Sequence, residues 1–505
     1  MNSIPALGGI RAELRSRWPE WATIAAYASV VAFAIPFHEP WTDEAQAWQI
    51  ARSIPLRAMF QTYIRYEGSP GLWHFLLWVM IRAHISYCGM HWICGAIAVV
   101  GISLFIFKSP FPRFLKLTLP FTYYLLFQYA VVARSYVLVP VLLFLIAIQW
   151  KKNPVWLAIL LGLLANLSLH VAVISGGLAV VYCIEWIRNR DAVDHSRRRQ
   201  LLFSAHILLC FYAFAIWTAW PPRDLMMSNF RAPARPFIFW AVTSLMGLCD
   251  PWILSIPFWI CIALCLRARR SLVYLLPVLF FAAFSGAVYA VYWHFGLPVP
   301  LVICLLWITW PERGCESPRH EMYCRTALIV MAGIQILWSA QAIVFDHFNA
   351  YSPSIATAQF LQPYVRDGAT IAVTYLDRPD SVQPDGGDYD DVAILPYFDH
   401  NIFANQQNSF WWWSDKNHTE DSFFALLPSH PRIVVIQARH SPGRTIYMED
   451  EKVDLLLKSG YLFTNQFCGS VPIRLGMGLT FCDLIFQRTD IVHPSLGDAT
   501  GAASR

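Results

Sequence analysis

Apolar residues run through this chain in long stretches up to about residue 346 and in short, alternating stretches after it. A membrane-crossing helix takes about 20 mainly apolar residues, because backbone groups in hydrocarbon must be satisfied inside the segment itself. Twelve windows between residues 21 and 345 meet or approach that length, among them 21–37, 71–87, 91–107, 115–132, 237–266 and 327–345. The first is followed by many others, so it reads as a retained anchor rather than a cleaved signal. Beyond Asp346 the pattern is that of an aqueous α/β fold. Residues 369–376, 390–398, 432–439 and 479–488 read as strands, and 354–368 and 449–460 as helices. Each of those helices ends at a glycine, Gly368 or Gly460, suited to a left-handed cap. The expected fold is a polytopic α-helical membrane bundle of about 12–13 spans with a small C-terminal α/β domain. The expected divisions are residues 1–20, 21–346 with an outer loop at 38–70, and 347–505.

Composition agrees, with 56% hydrophobic and 14% charged residues and a mean hydropathy of +0.43. The net charge of +5 hides a division. Residues 1–346 hold 27 Lys+Arg against 15 Asp+Glu, and residues 347–505 hold 11 against 18. The basic part reads as positive-inside loops, and no basic patch is coherent enough for nucleic acid. Runs at 188–199, 267–270 and 313–325, with Lys151 and Lys152 and with Lys108, Arg113 and Lys116, mark the cytoplasmic side. The loops near Arg134, His170, 221–236 and 294–300 then fall outside, as does the C-terminal domain, and Arg11, Arg15 and Arg17 keep the N-terminus inside. That arrangement needs an odd number of crossings, so one irregular or re-entrant segment is expected within residues 38–107. The chain reads as an integral protein of a bacterial inner (plasma) membrane, its C-terminal domain periplasmic or extracellular.

Candidate chemistry gathers on the outer side. Thr42 is placed as an N-cap, with Asp43 and Glu44 in the first helical turn, where exposed amides favour negative charge. Ala45, Trp48 and Ala51 would form an apolar stripe lying flat on the interface. The acidic pair either caps this interfacial helix or supplies a general base or a metal ligand, Asp43 being the candidate ligand. Glu67, Gly68, Ser69 and Pro70 form a turn into the next span, and His74 lies one turn inside it. Arg134 interrupts an apolar run, where it either snorkels or meets an anion such as a lipid-linked phosphate. Arg223, Arg231 and Arg235, with Asp224, crowd one outer loop and could gather an anionic headgroup. His170 and His294 end their spans on this side as cavity-lining candidates. No histidine spacing marks a structural zinc site, and neither a Walker A nor a dinucleotide motif is present.

Cys468 and Cys482 are the two cysteines of the C-terminal region, and they flank a short loop compatible with a disulfide in an oxidising compartment. Trp411, Trp412 and Trp413 could stack on a sugar, dip into lipid or pack under a loop, and Asn417 opens a glycosylation sequon.

The arrangement of Asp43-Glu44 after the first span and Glu67-Gly68-Ser69-Pro70 before the next resembles the GT-C membrane glycosyltransferases, especially the group of protein O-mannosyltransferases and aminoarabinose transferases. The resemblance extends across the membrane region in layout but rests on fewer than ten motif residues. EGSPGLWH stands where relatives often carry a His-Pro-Pro-type turn. It implies Asp43 as the main catalytic or metal-associated carboxylate with Glu44 beside it, and Arg134 near the lipid phosphate; Glu67 is a catalytic candidate from its own position, where His74 either caps the loop or pairs with it near a polar cavity. It also implies sugar transfer from a polyprenyl-phosphate donor to an acceptor at the outer face, with Mg or Mn as the candidate cofactor and membrane lipids as partners. A transporter or flippase for a lipid-linked anion is the rival, although no repeated halves are visible. A non-catalytic envelope-assembly protein is the third reading.

Overall fold

The computed structural model describes residues 17–188, 195–225, 237–288, 290, 293–310, 317–376, 391–412, 423, 425–440, 451–473 and 476–489. The chain divides into two compact units. One comprises Met1–His38, Ile54–Phe348 and Ile473–Leu475, and the other Glu39–Ser53, Asn349–Pro472 and Gly476–Arg505.

The first unit is a polytopic helical membrane bundle. Among the described residues four helices are long and apolar enough to cross a membrane: Tyr87–Lys108, Leu169–Arg188, Arg198–Ala219 within a longer helix, and Pro318–Phe348. Seven shorter apolar helices accompany them. Starts follow ordinary capping chemistry. Ser86 Oγ accepts from Gly89 N at 3.1 Å ahead of Tyr87–Lys108. Asn153 Oδ1 accepts from Val155 N at 2.9 Å and Trp156 N at 3.2 Å, with Pro154 at the first helical position.

The expected span at 115–132 is not a continuous helix. A short helix, Arg113–Thr118, passes into a 3-10 turn at Leu119–Phe121, a wide π turn at Tyr124–Gln128 and irregular backbone up to Arg134. Hydropathy counts apolar side chains and is blind to this break. Every residue from Tyr123 to Ala133 is buried, so the broken backbone faces protein, the setting in which a membrane interior tolerates it. Neighbouring helices supply the missing donors. Ser339 Oγ donates to Phe121 O at 2.8 Å, and Tyr27 Oη donates to Leu125 O at 2.7 Å. Window 91–107, by contrast, lies wholly inside the unbroken Tyr87–Lys108 helix.

The second unit carries a four-stranded sheet of β1 (Ile371–Tyr375), β2 (Ile433–His440), β3 (Tyr461–Ile473) and β4 (Gly476–Arg488), in the order β1-β2-β4-β3. β1 runs parallel to β2 with Val373 opposite Val435, and β2 antiparallel to β4 with Val435 opposite Ile485. Alternation along the strands feeds two cores. Ile371, Val373, Ile433, Val435 and Ile485 pack with Ala358 and Leu361 of the Ser354–Arg366 helix on one face. Ala372, Val434, Ile436, Leu484 and Phe486 pack with Val453 and Leu456 of the Glu451–Lys458 helix on the other. Gly368 and Gly460 follow their helices with φ of 70° and 83°, the left-handed caps that the sequence implied. Residues 391–397, expected as part of a strand, form a helical turn, Asp391–Ile394, and a 3-10 turn, Leu395–Tyr397. The 13-residue β3, not expected from the sequence, completes the sheet. Cys468 and Cys482 form a disulfide between β3 and β4.

Candidate functional site

The first-loop helix of the second unit, Thr42–Ser53, carries Asp43 and Glu44 in its first turn. The cap is one residue earlier than expected. Trp41 O accepts from both Glu44 N and Ala45 N, and Trp41 N donates to Glu44 Oε2 at 3.2 Å. Trp41 is therefore the N-cap, and Glu44 reaches back to it as the acidic half of a capping box. Glu44 is buried and Asp43 half-buried. The helix does not present one apolar face and one wet one. Every residue from Glu44 to Ala51 is buried, Gln46 and Gln49 included. Its polar groups meet the C-terminal part of the unit: Gln46 pairs with the backbone of Trp411, and Arg52 donates to Phe398 O at 2.9 Å and Leu395 O at 3.3 Å.

In the membrane unit, three residues far apart in sequence come together. His170, in the first turn of Leu169–Arg188, stacks on His294 with ring centroids 3.8 Å apart. His294 lies 6.0 Å from the Tyr136 ring, and the guanidinium of Arg134 sits 5.3 Å from that ring and 5.0 Å from Trp293. Two residues after His294, Gly296 lets the Tyr124 ring lie against the backbone, since a Cβ there would fall 2.0 Å from that ring. Both imidazoles are buried and Arg134 is half-buried. One fixed cation flanked by imidazole and aromatic groups is suited to an anion carrying several oxygen acceptors.

A second grouping in this unit was not anticipated. His38, at the end of the first span, donates through Nδ1 to Asp346 Oδ2 at 3.1 Å, with both side chains buried. His91 lies 5.9 Å from His38, ring to ring. A carboxylate on Nδ1 fixes the imidazole so that Nε2 presents its lone pair, as in metal-ligating histidines. Buried His38 and His91 are imidazole donors of the kind a divalent cation takes. The available sequence signals were weak: His91 is an ionisable residue inside a span, and Asp346 stands at the end of another.

The remaining candidates are dispersed. Gly68 has φ of 58°, so the Glu67-Gly68-Ser69-Pro70 turn requires glycine there. Ser69 Oγ donates to Leu167 O at 3.2 Å and Leu72 N to Asn166 O at 3.3 Å, tying this turn to the segment that leads into His170. Glu67 is half-buried. His74 is 3% exposed, and neither ring nitrogen has a hydrogen-bond partner. Arg223 is exposed, and its neighbour Asp224 accepts from Tyr66 Oη at 2.9 Å. Arg231, Arg235, Trp413 and Asn417 lie outside the described residues.

The second unit also buries two carboxyls that the sequence did not single out. Asp483 accepts from Thr357 Oγ1 at 2.5 Å and from Gln437 Nε2 at 3.2 Å, and Asp391 accepts from Gln406 Nε2. Loss of solvent pushes each up to about 6, only partly offset by these donors.

No family model matches this chain, and no curated protein does. The polytopic helical bundle with a small C-terminal sheet domain is consistent in general layout with the GT-C architecture.

Proposed function

We propose that this protein is a glycosyltransferase of GT-C type that moves a sugar from a polyprenyl-phosphate-linked donor to an acceptor at the outer face of the membrane. The observation that carries the reading is the convergence of Arg134, His170 and His294 inside the membrane unit. A half-buried guanidinium beside two imidazoles and two aromatic rings is suited to an anion with several oxygen acceptors, and a lipid-borne phosphate is such an anion at a membrane. Positive-inside logic assigns these three residues and the Asp43–Glu44 helix to the outer face, with the C-terminal domain also outside.

In the reaction Asp43 takes the proton of the acceptor hydroxyl as general base, and that oxygen attacks the anomeric carbon. Arg134 stabilises the charge gathering on the departing phosphate. A single displacement inverts the sugar carbon. A divalent cation bound through His38 and His91 would neutralise phosphate charge. Two imidazole donors favour Mn over Mg, which prefers oxygen ligands. The hydropathy pattern shows no repeated halves of the kind alternating access uses, which counts against the transporter reading.

The test is binding of polyprenyl phosphate to the purified full-length chain in nanodiscs, followed by native mass spectrometry. Wild type should retain the lipid, and Arg134→Ala should lose at least about tenfold in affinity, the cost of one charge-assisted pair. Equal retention by wild type and variant would contradict the phosphate role of this cluster.

A further inference from the structure

The acidic pair lies near residue 43, yet what holds its helix lies three hundred residues further on. Gln46 meets the Trp411 backbone through both ends of its amide. Nε2 donates to Trp411 O at 2.6 Å, and Oε1 accepts from Trp411 N at 2.8 Å. Two antiparallel bonds to one peptide fix the position and the rotation of that side chain together, which one bond cannot do. Gln46 is three residues after Asp43, so the two occupy adjoining positions along one helical flank.

The far end is fixed separately. Arg52 donates through one terminal nitrogen to Phe398 O at 2.9 Å and through the other to Leu395 O at 3.3 Å. Leu395 lies in the 3-10 turn that follows the 391–394 helical turn and Phe398 caps it, so Arg52 binds both sides of that turn's end. Ser53 Oγ lies 2.7 Å from Ser409 Oγ. Ahead of the helix, Ser354 Oγ donates to Pro40 O at 3.3 Å, and the Trp41 ring lies 6.4 Å from Tyr351. The segment is therefore held before its start, at its middle and at its end, each time by residues from beyond position 349.

Such a clamp exceeds what an amphipathic surface helix needs, since burial of Ala45, Trp48, Ile50 and Ala51 already anchors it. Directional bonds at three points add control of register and rotation, the two variables that set where first-turn carboxylates point. We infer that the C-terminal part of this unit is a positioning cradle for Asp43 and Glu44, with Gln46 and Arg52 as its positioning residues. The inference rests on the glycosyltransferase reading for its consequence in turnover, but its structural content stands apart from that reading. A displacement of about 1 Å at a reacting group costs on the order of a hundredfold in rate. The cradle thus supplies a role for a domain that carries no catalytic motif of its own.

The experiment uses the full-length protein in nanodiscs with Gln46→Ala, Arg52→Ala and Arg52→Lys. Hydrogen exchange over residues 42–53 is read against exchange in β1, β2 and β4. Both alanine variants should raise exchange at least tenfold in 42–53 and leave the strands unchanged, while Arg52→Lys, which keeps one donor nitrogen in place of two, restores much of the protection. Unchanged exchange in 42–53, or equal loosening of the strands, would overturn the cradle. With a polyprenyl-phosphate sugar as donor, the alanine variants should lower kcat by about ten- to a hundredfold with KM for donor unchanged. A rise in KM at constant kcat would also overturn the positioning role. If Asp43→Asn leaves turnover intact while the exchange result holds, the glycosyltransferase reading fails and the cradle remains.

Discussion

Asp483→Asn offers a quantitative check on the second unit. The Asp483 carboxyl is 1% exposed and titrates near 6 in place of 3.8. Burial is the main cause, the nearby Asp391 carboxyl adds to it, and bonds from Thr357 and Gln437 oppose it. Because the folded value is raised, the folded state binds the proton more tightly than the unfolded one. Stability from this group is therefore fully present below pH 3.8 and declines as pH rises towards 6. A shift of roughly two units corresponds to about 3 kcal/mol lost between pH 4 and pH 7. Asp391, also shifted to about 6, contributes in the same direction. Asn at position 483 removes one titration while leaving an oxygen for Thr357 or Gln437 to donate to. The assay is hydrogen exchange at Val434–Ile436 and Leu484–Phe486 in the intact protein, converted to opening free energies across pH 4.5–7. Wild-type opening free energy should fall by several kcal/mol as pH rises, and the variant should show roughly half that slope. A flat wild-type profile, or a variant with the full slope, would refute the burial account of these carboxyls.

Two further outcomes follow from particular contacts. Asp346→Asn weakens the orientation of His38, and Mn binding measured by calorimetry should fall about 10–100-fold, as it does when a ligand's carboxylate partner is lost; unchanged binding would separate this pair from any metal. Replacing Cys468 and Cys482 together by Ser opens a crosslink spanning 14 residues, and denaturant unfolding of the second unit should show a loss of about 3 kcal/mol, with little change at Asp391 or Asp483.

The membrane bundle was legible because burial in lipid imposes a length and a hydropathy on each span that composition alone reveals. The two helix-ending glycines were legible for a similar reason, since the left-handed backbone at Gly368 and Gly460 excludes most other residues. Residues 390–398 misled because a short apolar run has no period long enough to separate a buried strand from a buried helical turn. β3 escaped because Gly469 and Pro472 are residues that argue against a strand. Gly469 is there for another reason: a Cβ would lie 2.5 Å from the Ser352 backbone. The first-loop helix was placed correctly in sequence but wrongly in environment. Its pattern reports its own side chains and cannot report that Trp411, Phe398 and Leu395 cover them. The break in backbone between residues 118 and 134 was hidden by the same limitation, because the carbonyls it exposes are satisfied by Ser339 and Tyr27 from distant helices. Arg134, His170 and His294 were each visible as polar interruptions of apolar runs, but their convergence is a property of the fold. His38 and Asp346 look like ordinary ends of spans until the 3.1 Å bond between them is seen.

The central claim is transfer of a sugar from a lipid-linked phosphate with Asp43 as base. It is tested most directly by mass spectrometry of envelope lipids and glycans from cells carrying the wild-type protein, no protein, or Asp43→Asn. The account predicts one sugar modification present with the wild type, absent without the protein, and absent with Asp43→Asn although the variant is present in the membrane at normal level. A modification that persists with Asp43→Asn, or envelope profiles that are identical with and without the protein, would contradict it.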